Sequence, residues 1–484
     1  MSIRASHVSL NQGIRPFSAT YTNSSLIPFA GSFYSAGKEP AGEALPSNGA
    51  SLYPAGKPRV MDIDGLTLIV ERIPGAKTTS IQVYVKAGSY SDNSALSRNG
   101  ETLNGLAHVV EHGVFLMGKE LSFEGYLNSA RRLDGEINGS TYVPFTLFSL
   151  DVPSHNINGA LDLISNLYFN FYPNLINWEE LKNEIDTTIT NEINLFTMAH
   201  APTVLDYLQR ALEYKVWEPH KIFSPNGGTP ETLSKIDFND VATFLYKHYT
   251  RDNTIISVAG DCNPDEVYEQ IKKHKNKLQQ AGEKQQIDPF KYKQSLHLEV
   301  VDHPVSPVVV AAEGPSFNDP QEIYALNALA HELPWHFVTK RSSKREIGYL
   351  TGAEIKAGHL QFSGSLISLM LFPNNKDLEA ALETVGRLLQ EVKEKGLEAN
   401  DLEQTKRHLK RDLLRLFELP AGRAKYNATC LLALDRVVPL SERIDGISRI
   451  TNQDIASVAR TVFNEEKVSM GIMSDREREI RLPL

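Results

Sequence analysis

Cysteine is nearly absent: Cys262 and Cys430 are the only two in 484 residues, far apart and outside any C-x-x-C. Their scarcity excludes a disulfide framework and a thiolate metal site, and a reducing compartment fits best. No run of about 18 apolar residues occurs, so no membrane-spanning helix and no membrane partner are expected. The amino terminus also lacks the apolar segment that a secretory signal needs. Nor do Lys and Arg form a stripe interleaved with aromatics, and at a formal net charge of −9 the chain offers no footprint for nucleic acid. Acidic residues are missing altogether from Met1 to Lys38.

With 41% hydrophobic and 23% charged residues, the remainder has the make-up of a soluble globular protein. A chain of this length predicts two to four domains of roughly 100–200 residues each. Residues 1–58 stand apart as a flexible tail, Ser-rich at first and then Gly- and Pro-rich through AGEALPSNGASLYPAGKP. The acid-poor start with RPFSA resembles a mitochondrial transit peptide, although Arg4 and Arg15 are few for an amphipathic targeting helix. The expected compartment is the cytoplasm, or the mitochondrial matrix if the tail is such a peptide.

From Pro58 the pattern turns strand-like. LTLIV at 66–70, and Ile81, Val83 and Val85 alternating with Gln82, Tyr84 and Lys86, have the period of two expected of half-buried strands. Thr102 to Met117 reads as a helix, FTLFSLDV at 145–152 as a strand, and 157–171 as an amphipathic helix. Asn177 with Glu180 three residues on is a capping pattern that opens a helix through Met198. TIISVAG at 254–260 is a further strand.

This unit occurs twice. LFSLDVPSHNINGAL, ending at Leu161, lies on LISLMLFPNNKDLEAAL, ending at Leu382, and EELKNE around Leu181 lies on NDLEQT around Leu402. Both offsets are 221 residues (382 − 161 and 402 − 181). The expected fold is α+β: two duplicated α/β sandwich domains, each an antiparallel-rich sheet covered by helices. The first spans 59–275 and the second 296–484, with the polar stretch 276–295 as a linker.

The chemistry is concentrated in GLAHVVEHGVFLMG, which contains H-x-x-E-H at 108–112. Residues four apart on a helix lie one above the other, so His108 and His112 can turn ring nitrogens to one ion. Zinc bound this way takes a third protein ligand and leaves a position for water. Glu111 adjoins that face and is placed to accept the water's proton. The bland alternative is a buried helix that happens to carry two histidines. Leu106, Val109, Val110, Val114 and Phe115 make it apolar, and two histidines and a glutamate there are costly unless something partners them.

The repeat acts as an internal control. Laying LAHVVEHGVF on LAHELPWHFV sets His331 opposite His108, Pro334 opposite Glu111 and Trp335 opposite His112, so the base and one ligand are missing. His331, Glu332 and His336 have the spacing H-E-x-x-x-H, and Pro334 is expected to break the helix, so no metal is expected there. The third ligand should be a carboxylate on the helix 177–198, where Glu180, Glu184, Asp186 and Glu192 are the candidates. Glu192 is favoured, because it lies opposite Leu413 in the repeat, while Glu180 is explained as a cap. Glu184 comes next, as a carboxylate that supports a ligand.

On HVVEH, the downstream glutamate in TNEINLF, GEINGST at 135–141 and the duplication, the chain from about residue 59 onward resembles the inverted-motif zinc peptidases of the pitrilysin/insulinase type. It is similar to the subunits of mitochondrial processing peptidase. The resemblance implies one Zn2+ per chain held by His108, His112 and Glu192, with Glu111 as base and Glu184 as helper carboxylate. It also implies that Asn138 and the strand at 145–150 hold an extended peptide by β-augmentation. SKREIGYL in the second half resembles the segment that completes the active site across the domain gap, with Tyr349 steadying an oxyanion and Arg345 or Arg341 meeting the substrate. The 80 residues from His112 to Glu192 (192 − 112) are slightly more than the family's habit, and Glu184 precedes Glu192 by eight (192 − 184) where seven is usual.

The expected function is therefore a zinc-dependent endopeptidase or oligopeptidase acting on peptides or unfolded proteins. The first domain is its catalytic half and the second an inactive repeat that completes the site, in a homodimer or a heterodimer with a related subunit. The alternative is a non-catalytic scaffold or core-type subunit of the same family.

Overall fold

In the computed structural model the chain is described over residues 57–93, 103–117, 122–169, 177–193, 227–279, 281–282, 292–300, 305–315, 319–339, 350–356 and 365–477, with Leu208, Leu212, Lys215, Val216 and Leu482. The tail up to residue 56, and Arg341, Arg345 and Tyr349, lie outside the described residues.

The first sheet has six strands: β1 (Arg59–Ile63), β2 (Leu66–Arg72), β3 (Thr78–Val85), β4 (Glu136–Thr141), β5 (Thr146–Pro153) and β6 (Thr254–Gly260), in the order β1-β2-β6-β3-β5-β4. Only β2 and β6 pair in parallel. The second sheet has β7 (Leu296–Val300), β8 (Val308–Gly314), β9 (Leu350–Lys356), β10 (Ser365–Leu371) and β11 (Val468–Ser474), in the order β7-β11-β8-β10-β9. There too a single pair, β7 with β11, is parallel. Strand for strand, the second sheet repeats β2-β6-β3-β5-β4 in order and sense. The fold is α+β, with two similar sandwiches.

Each sheet rests one face on helices of its own half. In the first, Leu66, Leu68, Val70, Ile81, Val83, Phe148 and Leu150 pack with residues of α1 (Leu106–Leu116), α2 (Phe123–Arg132), α3 (Ile157–Phe169) and α4 (Trp178–Glu184). The opposite faces are covered by exchange. The helix Pro420–Leu434, from the second half, lies on the back of the first sheet, where Ala428 and Leu432 meet Ile69, Tyr84 and Ile255. Leu208, Leu212 and Val216, from the segment between β5 and β6, pack against Val309, Ala311 and Leu366 of the second sheet.

This exchange corrects the reading of β3 as half-buried. All but its first residue are buried, because the alternate side chains face the incoming helix rather than water. Gln82 is polar and still satisfied, donating to the Ala421 carbonyl at 3.1 Å and accepting from the Tyr84 hydroxyl at 2.8 Å. Under the same helix Glu71, 3% exposed, meets Arg423, 2% exposed, at 2.8 Å and Asn427 Nδ2 at 2.7 Å.

Two further expectations change. The strand at 145–150 is not an edge: β5 is hydrogen-bonded between β3 and β4, and among the described residues β4 ends the sheet on that side. Pro334 does not break its helix, which runs unbroken from Pro320 to Thr339. That helix is packed against Ala399–Glu418, Asn452–Val462 and β9, and this packing outweighs the roughly 3 kcal/mol that an interior proline costs.

Candidate metal centre

Helix α1 is nearly all core. Leu106, Ala107, Val109, Val110, Gly113, Val114 and Phe115 are buried, and the remaining stripe carries His108 and His112. Across from it, Asn177 caps α4 by accepting from the Glu180 amide, so Glu180 stands in the cap, and Asp186 pairs with Lys182 at 2.7 Å on the exposed side. The helix continues from Glu184 through a π-turn, Ile185–Ile189, and on to Ile193.

The π-turn accounts for the unusual spacing of the two glutamates. In a straight α-helix residues seven apart are only about 20° out of line, whereas residues eight apart diverge by about 80°. One extra residue absorbed in a π-turn restores the alignment. Glu184 and Glu192 consequently both reach the α1 histidines: Glu184 Oε1 lies 3.1 Å from His112 Nδ1, and Glu192 Oε2 lies 3.4 Å from His112 Nε2 and 3.6 Å from His108 Nε2.

His108, His112 and Glu192 thus offer three ligand atoms within 4.8 Å of one another, the only such set among the described residues. A tetrahedral zinc with bonds near 2.0–2.2 Å holds its ligand atoms about 3.3–3.6 Å apart, the spacing of Glu192 from both rings. The contacts of 3.4 and 3.6 Å are long for hydrogen bonds but right for donors that share an ion. Glu184 occupies the Nδ1 of His112 and leaves Nε2 as its ligand atom, the usual arrangement for a metal-bound imidazole. The chemistry of the donor set and two of its three spacings suit zinc.

Protonation in the metal-free site follows from burial and charge. Burial, helped by the neighbouring His112, holds His108 down to about 4. Burial also works against a charged His112, but its contacts with Glu184 and Glu192 and the charge of Glu111 prevail and raise it to about 9. Glu184 and Glu192 are both lowered, first of all by His112. Burial pushes Glu111 up to about 7 despite the Thr141 hydroxyl, which donates to its Oε2 at 2.6 Å.

Strand β4 forms the other wall. A Cβ on Gly139 would come within 2.5 Å of Glu111 Oε1, so a side chain there would displace the carboxylate. Thr141 and Gly139 therefore face α1, and by strand alternation the exposed Asn138 faces away from Glu111 on the same edge. Sequence reasoning missed Thr141 and Gly139 as supports of Glu111, although both lie in the GEINGST run. It also missed Asp92, whose carboxylate accepts the amides of Gly105 and Ala107, each at 2.8 Å. Burial pushes Asp92 up to about 8 against those two bonds.

The comparisons with known proteins bear on the family and the fold. Residues 67–220 match the family model described as Insulinase (Peptidase family M16), and residues 235–409 match that of the Peptidase M16 inactive domain. An uncharacterized zinc protease of Bacillus subtilis is 21% identical over 83% of this chain and 95% of its own. A probable mitochondrial-processing peptidase subunit beta of Arabidopsis thaliana is 25% identical over 54% of this chain and 47% of its own. Among solved structures, a protease from Helicobacter pylori superposes with a TM-score of 0.72 at 19% identity, covering 86% of this chain and 99% of the other.

Proposed function

The chain belongs to the insulinase family, peptidase family M16, and from that premise we propose that it is a zinc-dependent endopeptidase or oligopeptidase. The observation that carries the reading is the convergence of His108, His112 and Glu192 from two helices onto one point, with Glu111 beside it. These three would hold one zinc ion per chain. Zinc in such a set supplies Lewis acidity, polarising a carbonyl and bringing the pKa of water toward about 7.

The protein's own groups do the rest. Glu111 accepts the proton of the attacking water and hands it to the leaving amine. Thr141 fixes one oxygen of that carboxylate, and Glu184 orients the His112 ring. The outer edge of β4, the last strand on that side among the described residues, offers with Asn138 backbone donors and acceptors to an extended peptide. In this proposal residues 59–275 are the catalytic half, and 296–484, joined to it through 276–295, supply Tyr349 to the oxyanion and Arg345, or Arg341, to the substrate. The substrate is a peptide or an unfolded protein.

A mitochondrial-processing peptidase beta subunit among the relatives supports work in a pair, with a second copy or a related subunit. No helix among the described residues is long and apolar enough to cross a membrane. The cytoplasm is the proposed compartment, or the mitochondrial matrix should residues 1–58 be a transit peptide. The test is zinc content together with cleavage of a mixed peptide library, before and after a chelator and again after zinc is restored. Cleavage that persists in the zinc-free protein, or a protein that holds no zinc, rejects the proposal.

A further inference from the structure

Helix α1 starts badly by its own means. Its N-cap is Gly105 at φ +95°, which has no side chain to receive the free amides of the first turn. One remote carboxylate replaces the missing cap: Asp92 Oδ2 takes the Gly105 amide and Oδ1 the Ala107 amide, both at 2.8 Å, immediately before His108. Asp92 is 2% exposed. A carboxylate so deeply buried is costly, and an asparagine or serine would have capped a helix at less cost.

Its surroundings connect it to the rest of the site. Asp92 sits on the short 3-10 helix Ser89–Asn93, whose Ser89 and Tyr90 amides donate to the carbonyls of Tyr142 and Val143 at 3.0 Å each. That is the turn between β4 and β5, directly after Thr141, which holds Glu111. Gly88 presses so close to the turn that a Cβ on it would lie 1.9 Å from the Tyr142 carbonyl oxygen. On the other flank of α1, Thr232 donates to the Asn104 carbonyl at 2.8 Å, and a Cβ on Gly105 would lie 2.6 Å from the Gly227 carbonyl oxygen.

We infer that Asp92 is a positioning residue: it locks the first turn of the metal helix to the β4–β5 turn and so sets the aim of His108 and Glu111 relative to the peptide-binding edge. The inference rests on the zinc-peptidase reading. A shift of about 1 Å at this turn would be transmitted along α1 to the ligands, and such misplacement is enough to slow a reaction about 100-fold.

The test compares Asp92→Asn with Thr451→Ala, which removes an ordinary side-chain cap from the distant helix Asn452–Val462. Asparagine keeps the size of the side chain but can accept only one of the two amides and turns its NH2 toward the other. Asp92→Asn is expected to lower kcat by about 10–100-fold, the range for groups that support metal ligands, with KM nearly unchanged. It should also shift the visible absorption bands of the Co2+-substituted protein. Thr451→Ala should lower Tm and leave kcat and the Co2+ bands alone.

If Asp92→Asn does not fold, Asp92→Glu keeps the charge, moves it by one methylene, and should still shift the Co2+ bands. A folded variant with wild-type bands and kcat, altered in Tm alone, overturns the inference. A wild-type chain that takes up neither zinc nor Co2+ overturns the zinc reading, and the inference with it.

Discussion

Helix α1 in the first half and the helix Pro320–Thr339 in the second meet the same physics, with different outcomes. In each, burial pushes a glutamate up to about 7, Glu111 in one and Glu332 in the other. In each, a threonine hydroxyl donates to that glutamate, Thr141 at 2.6 Å and Thr405 at 2.7 Å. In each, burial and a neighbouring imidazole hold a histidine down to about 4, His108 next to His112 and His331 next to His408. Yet His108, His112 and Glu192 are the only ligand set among the described residues, and the buried Leu413 lies where the sequence repeat calls for Glu192. Shifted protonation is what burying acids and imidazoles beneath a sheet produces. Three candidate ligand atoms brought close together are what the first half has and the second, among the described residues, does not.

That contrast can be broken, and the widest gap should open between two equivalent changes. Glu111→Gln is expected to lower peptide hydrolysis by about 10²–10⁴-fold with zinc content unchanged, whereas Glu332→Gln leaves turnover at the wild-type level. Equal losses would erase the difference between the halves. The exchanged helix is next: Arg423→Ala leaves Glu71 buried without its cation and should cost about 3–5 kcal/mol in urea unfolding, and a cost near zero would show that this pair does not hold the halves in register. Glu192→Leu then places the second half's residue in the first. Its zinc affinity, read by chelator competition, should fall by more than the 10–100-fold expected for Glu184→Ala, a change in a group that only supports a ligand.

Acidity sharpens the same point. In the zinc-free chain His112 is raised to about 9 from an ordinary 6.5, so its contribution to stability is complete below 6.5 and is lost as pH rises through about 9. Zinc requires the neutral ring, so uptake at pH 7 should release a proton from His112, and affinity should climb about tenfold per pH unit until about pH 9. Calorimetry in buffers of different ionisation enthalpy checks this, and uptake without proton release would contradict the assignment. The smallest effect concerns the π-turn. Deleting Thr187 should convert it to α-helix and leave zinc affinity within about tenfold, because Glu184 and Glu192 would then be seven apart; loss of binding would show that the turn does more than restore register.

Much of the fold was legible in the chain. The strands at 66–70, 145–152 and 254–260 and the helix at 157–171 appear within a few residues of where periodicity puts them. The duplication seen at an offset of 221 residues (382 − 161) recurs as two sheets of matching strand order. What periodicity could not reveal is what lies on the far face of a strand. Gln82 and Tyr84 look solvent-facing by pattern, and only a helix arriving from some 340 residues away buries them (|i−j| = 339 for Gln82 and Ala421). Asp92 has no signal for the same reason, since its partners are backbone amides, which carry no residue identity.

Local spacing by itself determined that His108 and His112 share a helical face with Glu111 at hand, because four residues make about one turn whatever surrounds them. Tertiary structure decided the rest. It brought both Glu184 and Glu192 to the α1 histidines by turning the α4 helix through a π-turn, and among the described residues it ended the sheet at β4 rather than β5. It also shifted the protonation of each group, through burial for His108 and Glu111 and through contact between acid and imidazole for His112, Glu184 and Glu192. Those outcomes depend on distances between segments far apart in the chain, which a sequence encodes only through the packing of the whole.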